Sequence, residues 1–427
     1  MTNPFIFGDP VRAADFLDRE RELRRLRDRI LRGASAIVTA APGMGKTSLL
    51  LYLDEARTTV FGPTAQGWVF HFLDAYTMAG WDTAAFWREA LEPLAACSPA
   101  LQGAYRAVLA AADDVSALEA LFEQAAAEGR RLVLLLDEFE ALLHEPGLHR
   151  GRFYGVLRSL ASRFVSFSLV LSSRHSAAEL NERTRDFAQG SPYFNFASEV
   201  TLRPWPMRAV DALLRRGQDR LDAADQAFIK RIAGRHPYLL QAAAYYLWDM
   251  YEDETGPLGR RERAGREFFA EVAESLLQDI WLSWTPYMQM AFTLVGLEDM
   301  SAHLPDGRSF DIRALLRDLP HLAPEMRKLE QRGFVRPAPD RAVGYAPQAE
   351  VMVWYLAETL TRALRPEGVD LAAWLAAQEW QGLLKRGEMQ ALQRALNRVG
   401  GVLQEGVTLL IRAAAEGAAN RLRGGAA

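Results

Sequence analysis

The sequence predicts an α/β half, a parallel sheet covered by helices on both faces, followed by a half that is helical throughout. Three observations carry this prediction. Short apolar runs alternate with helical patterns between residues 34 and 202, which is the signature of a parallel sheet. One of those runs leads through a glycine loop straight into a helix. After 203-RPWP-206 the alternation stops and helical periodicity takes over.

Taken in order, residues 1–18 hold Pro4, Gly8 and Pro10 among aromatics and read as irregular chain. Residues 19–32 place Leu23, Leu26 and Ile30 on one helical face among charges. The run 34-ASAIVTA-40 is a strand, and Lys46 starts a helix. Further strands are expected at Trp68–Leu73, Leu132–Leu136, Val165–Ser172 and Val200–Leu202, with helical patterns between them. Beyond the two prolines the pattern predicts helices at Met207–Arg216, Asp222–Ala233 and Pro237–Tyr251. The charged, glycine-bearing stretch 253–265 reads as a linker. Several helices follow to about Leu364, with a small β-hairpin at 333–347, and a helical tail bears Trp374 and Trp380. The domain expectation is therefore an N-terminal segment and helix at 1–33, an α/β domain at 34–204, a helical domain at 205–258, a further helical domain with a hairpin at 266–365 and a helical tail at 366–427.

Composition narrows the classes. At 427 residues the chain is too long for one ordinary core. The net charge of −4, spread over many acids and bases, points to neither nucleic acid nor a membrane surface. Cys97 is the only cysteine, so an intrachain disulfide and a cysteine-based zinc site are excluded and a reducing cytoplasm fits best. The seven histidines have no metal spacing. The N-terminus does not read as a secretory signal, and no apolar run reaches the ~18 residues a transmembrane helix needs.

The chemistry starts at 39-TAAPGMGKTSLL-50. The phosphate-loop pattern G-x-x-x-x-G-K-[ST] runs here from Ala40 to Thr47, with alanine in place of the first glycine. Pro42, Gly43, Met44, Gly45, Lys46, Thr47 and Ser48 form the cradle for a nucleotide. Gly43 and Gly45 let the backbone curl its N–H groups inward, Lys46 reaches the β and γ phosphates, and the Thr47 hydroxyl ligates Mg²⁺. The helix that begins there adds its positive dipole end. Alanine fails only where φ must be positive, so Ala40 reads as a tolerated variant.

In 131-RLVLLLDEFEALL-143 five apolar residues run into Asp137 and Glu138. A buried strand delivering acids at its C-terminal end is where an α/β sheet binds ligand. Asp137 is the expected metal residue, acting through water, and Glu138 the expected base for the attacking water. The next strand, 167-FSLVLSSRHS-176, ends in Ser172, Ser173 and Arg174. If that strand lies beside the phosphate loop, Arg174 points at the γ-phosphate and distinguishes ATP from ADP. Catalysis is thus expected from Glu138, Lys46 and Arg174.

The succession of phosphate loop, "LLLDEFE", "LVLSSR" and "IAGRHPYLLQ" resembles the STAND ATPases, AAA+-related signal-transduction switches that include NLR-type proteins and archaeal-type ATPases. The leading segment "NPFIFGDP…FLDRERELRRL" is similar to theirs too. The resemblance implies base or ribose contacts at Phe16, Leu17 and Arg19, and a sensor at Ser173 and Arg174. It also implies a lid proline at Pro237, with Arg235 where the family has glycine. It covers roughly residues 3–360 and implies ATP or ADP with Mg²⁺ as cofactors, slow regulatory hydrolysis, and self-association or a separate effector as partner. The family's winged-helix histidine has no counterpart around 343–354, and no long sensor repeat is present.

Residues 311–334 read helix, turn, helix, then strand, a winged helix with the hairpin. Glu325 and Glu330 interrupt the basic residues Arg327, Lys328 and Arg332, which favours packing on the ATPase over DNA binding. In the tail, Val399, Val402, Leu403, Val407, Leu410, Ile411 and Ala414 recur at helical spacing, while Gly406, Ala413 and Gly417 permit close helix approach, so docking or self-association is expected. The leading functional expectation is an ADP-closed, ATP-open switch controlling assembly or an effector. The alternatives are a DNA-binding AAA+ initiator or transposition-type ATPase, and a module holding nucleotide without turnover. Arg158 and Arg163 are both open as an arginine finger.

Overall fold

The computed structural model describes residues 2–111, 114–187, 192–253, 255–301, 322–364, 371–380, 383–400 and 407–424. The chain divides into two compact units. One holds Pro10–Ala41 with Gly45–Leu202; the other holds Met1–Asp9, Pro42–Met44 and Arg203–Ala427.

The first unit is built on five parallel strands: β1 (Ser35–Thr39), β2 (Trp68–Asp74), β3 (Arg131–Asp137), β4 (Phe167–Ser173) and β5 (Ala197–Thr201). Their order across the sheet is β2-β3-β4-β1-β5. All five strands overlap the predicted runs, with β5 starting three residues earlier than expected, at Ala197. β3 and β4 are buried along almost their whole length, as strands covered on both faces must be. From β1 the chain crosses to the far edge at β2, returns through β3 and β4, and then continues to β5 on the other side of β1. Ligands bind outside the C-terminal ends of strands at such a reversal.

The register fixes which residues share that end. Thr39 pairs with Ser173 and Leu136 with Leu171, so the exits of β1, β3 and β4 lie side by side. Helices Thr83–Ala95, Pro99–Ala110 and Val115–Ala127 follow β2 and contribute Phe86, Trp87, Leu91 and Phe122 to the core beneath the sheet. All three carry side-chain N-caps, from Asp82, Ser98 and Asp114, each accepting from the first turn.

The second unit is mostly helical. Its helices Met207–Arg215, Ala223–Ala233 and Pro237–Asp249 match the sequence expectation. The stretch read as a linker does not remain one: Pro257–Phe268 is a helix, continued by a π turn over Phe269–Ala273 and a helix to Leu282. Its charges belong to its packing. Arg261, 3% exposed, donates from Nε to Asp225 Oδ1 at 2.8 Å, and Asp225 also caps its own helix. A stretch that looked polar enough for a linker is polar because it forms a buried ion pair. The first nine residues also belong to this unit: Phe5 meets Trp248 edge-on at 6.2 Å, and Phe7 meets Tyr245 at 4.8 Å.

Further along, the helix Ala323–Arg332 leads into a two-stranded antiparallel ribbon, β6 (Val335–Pro337) and β7 (Tyr345–Pro347), as the hairpin reading expects. Residues 311–321, the first helix and turn of the expected winged helix, lie outside the described residues.

The tail helix Val407–Gly424 packs on helices Ala223–Ala233, Pro257–Phe268 and Glu350–Leu364 of its own unit. A Cβ on Gly417 would come within 1.9 Å of Arg231 Nη1, and Arg231 is itself held by Glu350 and by the Ala413 carbonyl. Of the two readings for this face, docking on the chain itself is the one observed at Ala413 and Gly417. Val402, Leu403 and Gly406 lie outside the described residues. Leu410 and Ile411 are almost fully buried, which stabilises by roughly 3–6 kcal/mol at most for the pair. Deleting residues 407–427 is therefore expected to lower the melting temperature equally with and without ADP. An unchanged melt in differential scanning calorimetry would show that the helix is not part of this core.

Among the described residues, no helix is long and apolar enough to cross a membrane.

Candidate functional site

The site grows from three strand exits. After β1 the loop needs two left-handed residues, and it has them: Gly43 has φ 71° and Gly45 has φ 89°. Ala40 has no positive φ, and its N–H donates to the Ser173 carbonyl at 3.3 Å. Alanine in the first glycine position thus costs the loop no strain. The helix Lys46–Glu55 starts at Gly45 without a side-chain cap, leaving its first N–H groups to a ligand. Lys46 is only 5% exposed.

The exit of β3 brings the acids. Asp137 is 2% exposed, and the Ser172 hydroxyl donates to its Oδ1. The same hydroxyl accepts from the Glu138 N–H at 3.1 Å. Ser172 therefore fixes both acidic residues from the neighbouring strand. Glu138 stands at φ 45°, ψ 47°, left-handed for a residue with a side chain. Such a conformation costs on the order of 1 kcal/mol or more, and it turns the carboxylate toward the loop. Glu138 Oε1 lies 3.3 Å from Lys46 Nζ, and Oε2 lies 3.6 Å from Arg174 Nη2. Glu138 Oε2 is buried and accepts no hydrogen bond.

Arg174 follows β4 and is held in place by Glu140. Glu140 Oε1 accepts from Arg174 Nε at 2.7 Å and from the Arg174 N–H at 3.1 Å, and Arg174 Nη2 donates to the Tyr76 hydroxyl at 3.1 Å. Neither Glu140 nor Tyr76 was among the sequence candidates. For Glu140 a signal existed in "DEFE", where the short 3-10 turn after Glu138 carries the second glutamate back under the strand ends.

Electrostatics separate the two glutamates. Burial pushes the Glu138 carboxyl above its ordinary range, further helped by Glu140 and Asp137 and only partly offset by Lys46 and Arg174. Burial on its own would raise Glu140 as well. There the backbone N–H groups of Glu140 itself and of Arg174, with Lys46 and the Ser173 hydroxyl, outweigh it and hold the carboxyl low. Burial opposes the charge of Arg174, but Glu140, Tyr76 and Glu138 together strengthen it. The result is one carboxylate committed to a cation and one poised to take a proton.

The other expected site residues are placed as follows. Ser173 is fully buried, and its hydroxyl accepts from the His175 N–H at 3.0 Å. Ser48 Oγ accepts from the Val11 N–H at 3.1 Å, which lays the leading segment along the loop helix. Phe16 stacks on Tyr52 of that helix, centroids 4.3 Å apart. Leu17 is half-buried beside it. Arg19 is 4% exposed, has φ 76° as N-cap of the helix Glu20–Leu31, and has its charge disfavoured by burial against Glu22 and Asp18. Arg158 donates to the Pro192 carbonyl and Arg163 pairs with Glu119. In the second unit, Pro237 is the first residue of its helix and His236 the N-cap, with His236 Nε2 3.0 Å from the Pro42 carbonyl. Met44 is 2% exposed. The turn there is carried by Gly234, at φ 60°, so Arg235 needs no glycine-like backbone.

Among the described residues, no three metal-binding side chains cluster. Thr47 and Asp137 supply one hydroxyl and one carboxylate, which fits Mg²⁺, a cation that keeps waters and substrate oxygens as its other ligands.

Residues 8–208 match the family model described as Novel STAND NTPase 1. Over those residues the sheet-bearing part of this chain is similar to a STAND-type P-loop NTPase domain. Among solved structures, the Walker-type ATPase of Pyrococcus abyssi is similar over 83% of this chain and 99% of its own, at 16% identity and a TM-score of 0.51, a likeness of fold. The Aeropyrum pernix ORC2 protein, solved with ADPNP and ADP, is similar over 81% of this chain and 95% of its own, at 15% identity and a TM-score of 0.46. No curated protein matches the chain. The chain thus carries an α/β P-loop core followed by a mostly helical C-terminal half.

Proposed function

We propose that the chain is an ATP-binding and ATP-hydrolysing switch of the STAND type, closed with ADP and open with ATP, that controls self-assembly or a separate effector. The carrying observation is the cluster of Lys46, Glu138 and Arg174 at the exits of β1, β3 and β4, with Lys46 and Arg174 both within 3.6 Å of the Glu138 carboxylate. Lys46 carries the charge for the β and γ phosphates, and the γ-phosphate replaces Glu138 as its partner. Released from Lys46, Glu138 takes the proton of the attacking water, a role that its raised proton affinity suits. Thr47 and, through water, Asp137 would hold Mg²⁺, which would supply positive charge to the phosphate oxygens. Arg174 reads the γ-phosphate with the guanidinium face left by its bonds to Glu140 and Tyr76. Phe16, Leu17 and Arg19 line the base side, and Pro237 belongs to the lid. Residues 266–365 serve as a winged-helix domain that transmits the state of the site.

Glu140 is a positioning residue in this reading. Arg174→Ala is expected to weaken ATP about 10- to 100-fold, the loss of a charge-assisted contact, while ADP binds as before. Glu140→Gln is expected to shrink the same ATP-to-ADP ratio without touching either phosphate directly. Calorimetric titration of both nucleotides measures this, and equal losses for ATP and ADP would make Arg174 merely structural.

A further inference from the structure

We infer that Tyr76 is a positioning residue of the nucleotide site: its hydroxyl holds the Arg174 guanidinium away from the Glu138 carboxylate, so that the arginine stays available to a γ-phosphate. The inference rests on the proposed reading of Arg174 as the γ-phosphate contact and adds to it the group that keeps that contact open. Arg174 Nη2 faces two acceptors. It donates to the Tyr76 hydroxyl at 3.1 Å, and it lies 3.6 Å from Glu138 Oε2. A carboxylate is the stronger acceptor for a guanidinium, by its charge and by its shape. Yet Glu138 Oε2, buried as it is, accepts no hydrogen bond. Glu140 does not decide between the two, since it takes Nε and the backbone N–H of Arg174 and leaves Nη2 to its other neighbours. The neutral phenol is therefore what holds Nη2. Less than about 1 Å of movement would bring Nη2 to the usual length of a charge-assisted bond with Glu138.

The phenol can do this because its turn is fixed. Asp74, the last residue of β2, pairs in register with Asp137, so the 3-10 turn Ala75–Met78 begins level with the acids. The Asp74 carboxylate accepts from the Tyr76 N–H at 2.9 Å, and the Thr77 hydroxyl donates to the Asp74 carbonyl at 2.7 Å. Ala75 and Met78 are buried in the same core as Phe139 and Leu142, which belong to the 3-10 turn that follows Glu138. Further on, the Gly80 N–H donates to Glu145 Oε2 at 3.0 Å, and a Cβ on Gly147 would fall 2.1 Å from the Trp81 carbonyl oxygen. The segment that carries Tyr76 is thus strapped to the segment that carries both glutamates. The Tyr76 side chain itself is 60% exposed, so apolar burial does not account for its place, whereas the bond to Arg174 does. Burial and the two glutamates push the phenol above its ordinary range, with Arg174 opposing, so the hydroxyl stays neutral. A neutral acceptor gives Nη2 up to a phosphate more readily than a carboxylate would.

The test titrates the full chain with ADP and with a non-hydrolysable ATP analogue, each with Mg²⁺, by calorimetry. Tyr76→Phe is expected to weaken the analogue about tenfold, the worth of one hydrogen bond to a charged group. ADP affinity and the melting temperature should stay at the wild-type values, since the ring remains and is mostly exposed. The loss should vanish when Arg174→Ala is already present, because Tyr76 acts through Arg174. It should shrink in Glu138→Gln, whose uncharged amide draws the guanidinium less. Unchanged affinity for the analogue in Tyr76→Phe would overturn the inference, and so would equal losses for both nucleotides. A loss that persists beside Arg174→Ala would assign the hydroxyl to the nucleotide itself and end the positioning role. A loss undiminished in Glu138→Gln would show that Glu138 is not what Arg174 is held from. Failure of the underlying Arg174 reading looks different: Arg174→Ala alone would then leave the ratio of analogue to ADP affinity unchanged, and the inference would fall with it.

Discussion

Lys46→Ala is expected to reduce ATP affinity by at least about 100-fold and to leave the fold intact. The side chain is 5% exposed and forms an ion pair with Glu138 at 3.3 Å. Removing it takes away the point charge that faces two phosphates, each charge-assisted contact being worth roughly 1.5–3 kcal/mol. It also leaves the buried Glu138 carboxylate without its nearest cation, so the proton affinity of Glu138 rises further. The variant should therefore lose binding and turnover together. Calorimetric titration with ATP on a variant whose circular dichroism matches wild type checks this. Unchanged affinity would mean that the glycine loop does not hold phosphate.

Glu138→Gln is expected to keep ATP binding and to lower phosphate release by about 10²- to 10⁴-fold, the usual worth of a positioned base. The amide retains the shape but cannot take a proton. The pH dependence follows from the same residue. Burial raises the Glu138 proton affinity, so the free carboxylate is available only above a pH higher than the ordinary value of about 4.3 for a glutamate. Wild-type turnover should fall as pH drops through that raised value, an acid limb that the glutamine variant lacks. For stability the sign is opposite: a raised carboxyl favours the folded state at low pH, and that contribution is lost as pH rises through the folded-state value. Phosphate release measured across pH tests the acid limb. Wild-type rates in the glutamine variant would remove Glu138 from the chemistry.

How much of this was legible in the sequence depends on whether a residue acts through its own segment or through a neighbour. The five strands stood out because buried parallel strands are continuous apolar runs, and the ends of β1, β3 and β4 then placed Lys46, Asp137, Glu138 and Arg174 at one edge of the sheet. That β4 lies beside the phosphate loop was an assumption of the Arg174 reading, and the strand order, with β4 next to β1, bears it out. Glu140 and Tyr76 were missed because their part is played across strands, from a 3-10 turn and from the far edge of the sheet, and no local pattern records it. Ser172 was visible as a strand end, but its bridge between Asp137 and the Glu138 N–H depends on the register of two strands. The linker reading of 253–265 failed for a related reason. Arg261 looks like a solvated charge until Asp225, far away in sequence, is found against it.

The most direct test of the switch reading is sedimentation velocity of the full chain, saturated in turn with Mg²⁺–ADP and with Mg²⁺ plus a non-hydrolysable ATP analogue. The expected result is two different profiles, a compact species with ADP and either a more extended or a larger species with the analogue, with the difference abolished in Arg174→Ala. Identical profiles, with both nucleotides shown to be bound, would contradict a γ-phosphate-driven switch.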